Sequence, residues 1–379
     1  MNTLPLADWP HACFDDLVVH PAQQLLAGVH GGSVHCAGPE WPTAAGPDWI
    51  RHCRGEPPRP VDDPPRPAAG PVAWLDEECL WGGCAVDHFG HFVAEFVHRI
   101  LPAVRTLPHL PLLLAAPPRG APVPGFVQAV LQHLGVSERV RWVAQPCRVR
   151  RLWVFPQQEV LGGGPPSAAY LDLLDELLAL QGAAPAVDPR PLFVSRARQA
   201  KGLAGEALLD RFFAEQGARV LHPEALPLPE QLAAYRAHRR LIFSEGSALH
   251  ALQLLGRLPR TRVTVLQRRR QPMGEAFVGA RVRRLRQVPL GGDLVSRLRV
   301  RGHPAAHAGL VFMDLSALRE AVRVCLGREA DPLAWSAGLD RLAAELARHE
   351  AEAVARYLAD TPPARRADVQ AQLAALGRA

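Results

Sequence analysis

From Pro191 to Gly256, short apolar runs alternate with runs whose apolar positions recur every three or four residues. Leu192-Phe193-Val194, Arg219 to Leu221, Leu241 to Ser244 and Val263 to Leu266 read as strands. Between them, Leu203 to Gln216, Pro229 to Ala237 and Ala248 to Leu255 read as helices, with Gly217 and Gly256 behind two of them. Such alternation predicts a parallel sheet covered on both faces, whose ligand sits beyond the carboxyl ends of the strands. Ser244-Glu245-Gly246-Ser247-Ala248-Leu249-His250 reads as strand end, tight turn and helix start. Free N–H groups and the positive end of a helix dipole at that point suit a phosphate.

Upstream the pattern is less regular. Phe92, Glu95, Phe96, Arg99 and Ile100 predict a helix that stops before Pro102. A strand at Leu112-Leu113-Leu114 follows, then a helix from Pro124 to Leu134 closed by Gly135, strands at Val140 to Val143 and Leu152 to Phe155, and a helix from Ala168 to Leu180. The first 80 residues hold short apolar runs such as Leu17-Val18-Val19 and a proline-rich stretch from Pro57 to Pro71, expected as loop or irregular edge. The loop Gln181 to Arg190 carries Gly182, Pro185 and Pro189 and is the expected domain boundary. The expected organisation is an α/β domain over 1–185, a Rossmann-like domain over 190–300 and a helical segment over 301–379. In that segment Trp335, Leu339, Leu342, Leu346, Val354 and Tyr357 form a stripe expected to pack within the monomer.

Composition narrows the class. At 379 residues, with 48% apolar and 21% charged residues, the chain suits two soluble domains of ordinary size. No early stretch has the layout of a secretory signal, and Leu101 to Ala116 is broken by Arg105 and prolines and is too short to cross a bilayer. A cytoplasmic location is expected, with peripheral membrane contact left open. Seven cysteines at scattered spacings, with no CxxC pair, are expected as reduced thiols. The net charge of +6 comes from arginines spread along the chain and a single lysine, Lys201, a pattern that favours small anions over nucleic acid as partners.

Two constellations carry candidate chemistry. Ser195, Arg196, Arg198 and Lys201, just past a strand end, are expected to meet a diphosphate together with Gly246 and the backbone and hydroxyl of Ser247. Glu245, at its strand's tip, is expected to accept from ribose or sugar hydroxyls or to cap a neighbouring helix, and His250 to reach the ligand or pack inside its helix. In the other constellation His91, Glu95 and His98 share a helix face, with Asp87 and His88 just ahead. A neutral imidazole in a first helical turn suits a general base. His91, Glu95 and Asp87 are the expected catalytic group, with His91 as base or acceptor-positioning residue and Glu95 orienting it or serving as base. The set His88, His91, Glu95 and His98 also reads as a divalent-metal site, though without the HExxH order, or as caps and internal hydrogen bonds alone. Arg268-Arg269-Arg270 with Arg281, Arg283, Arg284 and Arg286 is the densest basic region, expected after the last strand. It reads as a solvated face or as a hold on an anionic acceptor, polyphosphate or acidic membrane.

The order Phe193-Val194-Ser195-Arg196, Lys201, Glu206, Gly217, Pro223-Glu224, Leu226, Glu230-Gln231, Leu241 and Gly246-Ser247-Ala248-Leu249 resembles the family 61 glycosyltransferases, which include bacterial capsular-polysaccharide enzymes. Gly90-His91-Phe92 with Glu95 and Leu101-Pro102 looks like that family's histidine-containing helix. The chain departs at Glu245, where most members have His, at Ala251, where they tend to have Asn, and at Gly205, where the family has an Asn before Glu206. The resemblance implies two GT-B-like lobes and inverting transfer from a nucleotide-sugar donor to a saccharide or other hydroxyl acceptor, with no obligatory metal and no further cofactor. The rival readings are a non-catalytic nucleotide- or sugar-binding protein, a metal-dependent hydrolase built on the histidine helix, and a serine hydrolase. The last fits poorly, since Glu245 and Leu249 stand where Gly-x-Ser-x-Gly needs glycine.

Overall fold

A computed structural model describes residues 9–22, 37–42, 48–62, 72–117, 121–199, 202–269, 273–300, 302–305, 308–314, 316–318, 323, 325 and 332–378. Lys201 and Arg270 lie outside the described residues, as do the side chains of Trp335 and Leu339. Contacts divide the chain into two compact units, Met1–Ala183 with His250–Arg257, and Ala184–Leu249 with Leu258–Ala379. Both are α/β.

In the first unit the elements run β1 (Ala12–Val19), β2 (Cys53–Arg54), β3 (Arg59–Pro60), β4 (Ala73–Cys84), α1 (Phe89–Glu95), α2 (Ile100–Thr106), β5 (Leu112–Ala115), α3 (Gly125–His133), β6 (Val140–Val143), β7 (Cys147–Val154) and α4 (Ala168–Leu180). The sheet order is β1-β7-β4-β5-β6, parallel from β7 to β6, with β1 antiparallel along one edge. The central strand β4 falls in the stretch expected to be irregular. Its first half hides the strand signal because Asp76, Glu77 and Glu78 replace apolar residues there. Those carboxylates answer arginines on other strands of the sheet: on the adjacent β7, Arg150 lies 3.2 Å from Asp76 and Arg151 3.4 Å from Glu78, and on β6 Arg141 lies 3.9 Å from Glu77. From Cys79 onward β4 is buried and packs among apolar neighbours, Leu80 opposite Leu112 and Cys84 opposite Ala115.

The helix expected to stop before Pro102 instead breaks at Phe96, makes a 3-10 turn at Val97–Arg99 and restarts as α2. Pro102 falls in the first turn of α2, where its missing N–H has no intrahelical partner to lose.

The second unit runs β8 (Leu192–Val194), β9 (Gly202–Leu203), α5 (Glu206–Glu215), β10 (Arg219–Leu221), α6 (Leu228–Ala237), β11 (Arg240–Ser244), β12 (Leu258–Gln267), α7 (Glu275–Gly279), β13 (Val282–Pro289), β14 (Gly291–Ser296), β15 (Arg299–Val300), β16 (His303–Pro304), β17 (Gly309–Met313), α8 (Pro332–Asp360) and α9 (Pro363–Ala375). Its main sheet has the order β10-β8-β11-β12-β13 and is parallel throughout. The central strands are apolar because helices cover both faces, and Leu192, Phe193, Val194, Ile242 and Phe243 are at most 1% exposed.

Three expectations change here. Gly202-Leu203 is not the start of a helix but a short strand beside β17. Ser247–Leu254 winds as a 3-10 helix rather than an α-helix. The arginines 283, 284 and 286 do not follow the last strand; they lie on β13, the edge strand of the sheet, and Arg281 just ahead of it is buried. The C-terminal stripe packs inside its own unit: Leu342 and Leu346 join a core with Phe212 and Phe213, and Tyr357 joins one with Phe312 and Leu310. No helix of the described residues is long and apolar enough to cross a membrane.

Candidate active site

In the second unit β8 comes first in the chain, β10 lies on one side of it and β11 returns to the other. That reversal opens a crevice at the carboxyl ends of β8 and β11, the usual ligand position in an open parallel sheet. Ser195 and Arg196 leave β8 there, Glu245 and Gly246 leave β11, and Arg268 and Arg269 leave the next strand, β12.

Arg196 is 6% exposed and lies across Gly246. A Cβ at position 246 would stand 1.8 Å from Arg196 Nη1 and 2.6 Å from its Cδ, so only glycine admits this approach. The Arg196 backbone N–H donates to Glu206 Oε1 at 2.6 Å, and its Nη2 donates to Gln199 Oε1 at 2.9 Å. Burial lowers the Arg196 guanidinium from its ordinary value. Burial, then the neighbouring Arg196 and Arg269 charges, bring Arg268 down to about 10. Burial also pushes the Glu206 carboxyl up. Three guanidiniums thus gather here, with the Glu206 and Glu245 carboxylates beside them.

Glu245 does not have the role expected of it. Its carboxylate is fully buried and taken by the chain: Oε2 accepts from the Arg268 N–H at 2.8 Å and the Arg269 N–H at 3.0 Å, and Oε1 from Arg269 Nε at 2.6 Å. It anchors the two arginines instead of meeting sugar hydroxyls. Ser195 is also buried; its Oγ accepts from the Ala197 N–H at 3.0 Å. Arg198 is exposed, and Ser247 follows Gly246 at the start of the 3-10 helix. His250 is 5% exposed, its Nδ1 lies 2.7 Å from Gln253 Oε1, and its segment belongs to the first unit.

The first unit has a strand reversal of the same kind. After β4 the chain places β5 and β6 on one side and then β7 on the other, so the switch point lies at the carboxyl ends of β4 and β7. α1 starts there. Gly83, at φ +102°, lets the helix region come down on the sheet, since a Cβ would meet Phe96 Cβ at 2.9 Å. His88 is the N-cap of α1, its Nδ1 accepting from the His91 N–H at 3.2 Å.

His91 Nδ1 lies 2.8 Å from Glu95 Oε2. Glu95 is 2% exposed; its Oε1 accepts from Arg54 Nε and stands 3.6 Å from His52 Nε2. Burial pushes this carboxyl up, but the His52 and His91 imidazoles outweigh it and hold the group well below its ordinary value. An ionised Glu95 only accepts, so His91 Nδ1 carries a proton, and the tautomer this selects has its lone pair on Nε2. The His91 side chain is 29% exposed, enough for another molecule to reach that nitrogen. Asp87 is exposed and makes no contact that positions His91.

His98 leaves the set that sequence spacing assigned to it. The break after α1 turns it inward, where it is fully buried, with Nδ1 2.8 Å from the Tyr170 hydroxyl and 3.8 Å from Glu159. His98 is thus separated from His88, His91 and Glu95, and among the described residues no three His, Cys, Asp or Glu side chains form a group that could hold a metal ion.

Sequence reasoning missed Arg268 and Arg269 as parts of the crevice, and His52 and Arg54 as neighbours of Glu95. The first pair was hidden in an arginine run that reads as solvated. The second lies in a proline-rich stretch with no periodic signal.

No curated protein matches the sequence. Residues 89–263, which take in both α1 and the β8–β11 crevice, match the family model of glycosyltransferase 61.

Proposed function

We propose that the chain is an inverting glycosyltransferase that moves a sugar from a nucleotide-sugar donor to a hydroxyl of a saccharide or other acceptor. The reading rests on the nearness of Arg196, which lies across Gly246, to Arg268 and Arg269 at the switch point of the second unit. Cleaving a sugar–phosphate bond leaves negative charge on a nucleoside diphosphate, and preorganised cations are the most effective way to stabilise it. The arginines supply the charge that a divalent ion supplies in other transferases, which supports transfer without an obligatory metal. Each unit taken by itself, an α/β fold with a largely parallel sheet, is of the kind a GT-B-like enzyme contains. The free thiols of the described cysteines suit a cytoplasmic setting.

In the proposed reaction the acceptor O–H gives its proton to His91 Nε2 while its oxygen bonds to the anomeric carbon on the face opposite the diphosphate. The anomeric carbon–oxygen bond breaks and its electron pair stays on the diphosphate, beside the arginines. Glu95 then stabilises the imidazolium formed at His91. The test is release of nucleoside diphosphate from a panel of nucleotide sugars. Acceptor-dependent release is expected, abolished by His91→Ala with donor binding intact. Donor binding with no release under any acceptor would make the chain a binding protein; ester hydrolysis without nucleotide dependence would make it a hydrolase.

A further inference from the structure

We infer that Arg54 and His52, from the segment ahead of the family domain, are positioning residues that tune His91 through the Glu95 carboxylate. The inference rests on the reading of His91 as the acceptor's base, and it adds a part of the machinery that the family-matched stretch does not contain.

Glu95 sits where three elements meet. α1 carries it and His91 one turn apart, strand β2 brings Arg54 to Oε1, and the residue before β2 brings His52 to within 3.6 Å of the same oxygen. His52 is fixed by stacking on Phe96, with ring centroids 4.8 Å apart and an interplanar angle of 26°. The two carboxylate oxygens therefore have separate tasks: Oε2 holds the imidazole and Oε1 holds the cation. Among the described residues, the groups that face the pair are Arg54, His52 and His91 on the carboxylate, and His88, its ring tilted 58° to that of His91 with centroids 4.5 Å apart, on the imidazole.

A general base next to an uncompensated buried carboxylate is a poor choice at neutral pH, because the anion favours the imidazolium and the ring arrives already protonated. Arg54, donating to Oε1, opposes that charge. The carboxylate then keeps its orienting hydrogen bond, and with it the Nδ1–H tautomer, while His91 stays neutral until the acceptor proton arrives. His52, held over the same oxygen, leaves the carboxylate with a single direction in which to accept from His91.

Long-range proton–nitrogen NMR of the full chain, labelled with 15N-histidine, reads this without substrate or turnover; the His91 signal is identified by its loss in His91→Gln. The wild-type ring is expected neutral at pH 7.5 with its proton on Nδ1. Arg54→Gln should raise the His91 pKa by about one unit, the size of a lost opposite-charge neighbour acting through one intermediary. Arg54→Lys, which keeps the charge, should recover at least half of that shift. If Arg54→Gln does not fold, Arg54→Gln/Glu95→Gln removes the stranded carboxylate and should move the His91 pKa below wild type. An unchanged His91 pKa in Arg54→Gln, an equal shift in Arg54→Lys, or a neutral ring protonated on Nε2 overturns the inference. Failure of the reading of His91 as the base would show separately, as acceptor-dependent release surviving in His91→Ala.

Discussion

Adding one methyl group at Gly246 is the sharpest perturbation available in the arginine crevice. The new Cβ would lie 1.8 Å from Arg196 Nη1, 2.6 Å from Cδ and 2.7 Å from Cζ, all far inside van der Waals contact. The backbone at 246 is outside the left-handed region, so Gly246→Ala carries no dihedral strain and its cost is the collision alone. Arg196 is 6% exposed, with Glu206 and Gln199 holding its backbone and guanidinium, so it cannot swing clear without losing those partners. Overpacking of this kind costs about 1–3 kcal/mol. In a domain of roughly this size each kcal/mol lowers Tm by about 2–4 °C. The displaced guanidinium should also weaken nucleoside diphosphate binding about tenfold or more, equal to about 1.4 kcal/mol. The decisive assay is a double-mutant cycle, read by chemical denaturation and by calorimetric titration. With Arg196 already cut to Ala the collision has no partner, and Gly246→Ala should then cost less than about 0.5 kcal/mol. If Gly246→Ala destabilises the Arg196→Ala background as much as the wild type, the packing described here is wrong.

Other variants should separate structural charges from those at the candidate site. Arg269→Ala strands the buried Glu245 carboxylate and should destabilise the protein by about 2–4 kcal/mol on urea denaturation. Asp76→Ala removes only an exposed pair with Arg150 and should change stability by less than about 0.5 kcal/mol in the same assay. The native state holds the Glu95 carboxyl well below its ordinary value, so that group contributes stability that is complete above its unfolded value. The contribution is lost as pH falls through the native value, and Glu95→Gln should flatten the acid limb of a Tm-against-pH curve.

How much of this was legible depends on whether a residue's neighbours in the chain resemble its neighbours in space. The apolar runs at Leu192–Val194, Leu241–Ser244 and Val263–Leu266 become strands buried on both faces, and burial of that kind writes itself into local composition. Strand β4 was opaque because half of it is stabilised by ion pairs with arginines distant in sequence, which period-two patterning does not register. The junction of Arg196 with Gly246 was readable as two strand ends in a doubly wound order. The capture of Glu245 by Arg268 and Arg269 was not, since it depends on where β12 stops relative to β11. His98 shows the limit of helical spacing: four-three intervals put it beside Glu95 only while the helix is continuous, and the turn at Val97–Arg99 removes it. His52 and Arg54 carry no local signature at all, because their positions are set by a strand of two residues.

Isothermal titration of the purified chain with UDP, GDP, CDP, ADP and dTDP bears most directly on the proposal that the arginine crevice receives a diphosphate. One base is expected to bind with measurable heat, and Arg196→Ala and Arg268→Ala should each weaken that binding at least tenfold. Absence of binding for every nucleotide, or undiminished binding in both variants, would contradict it.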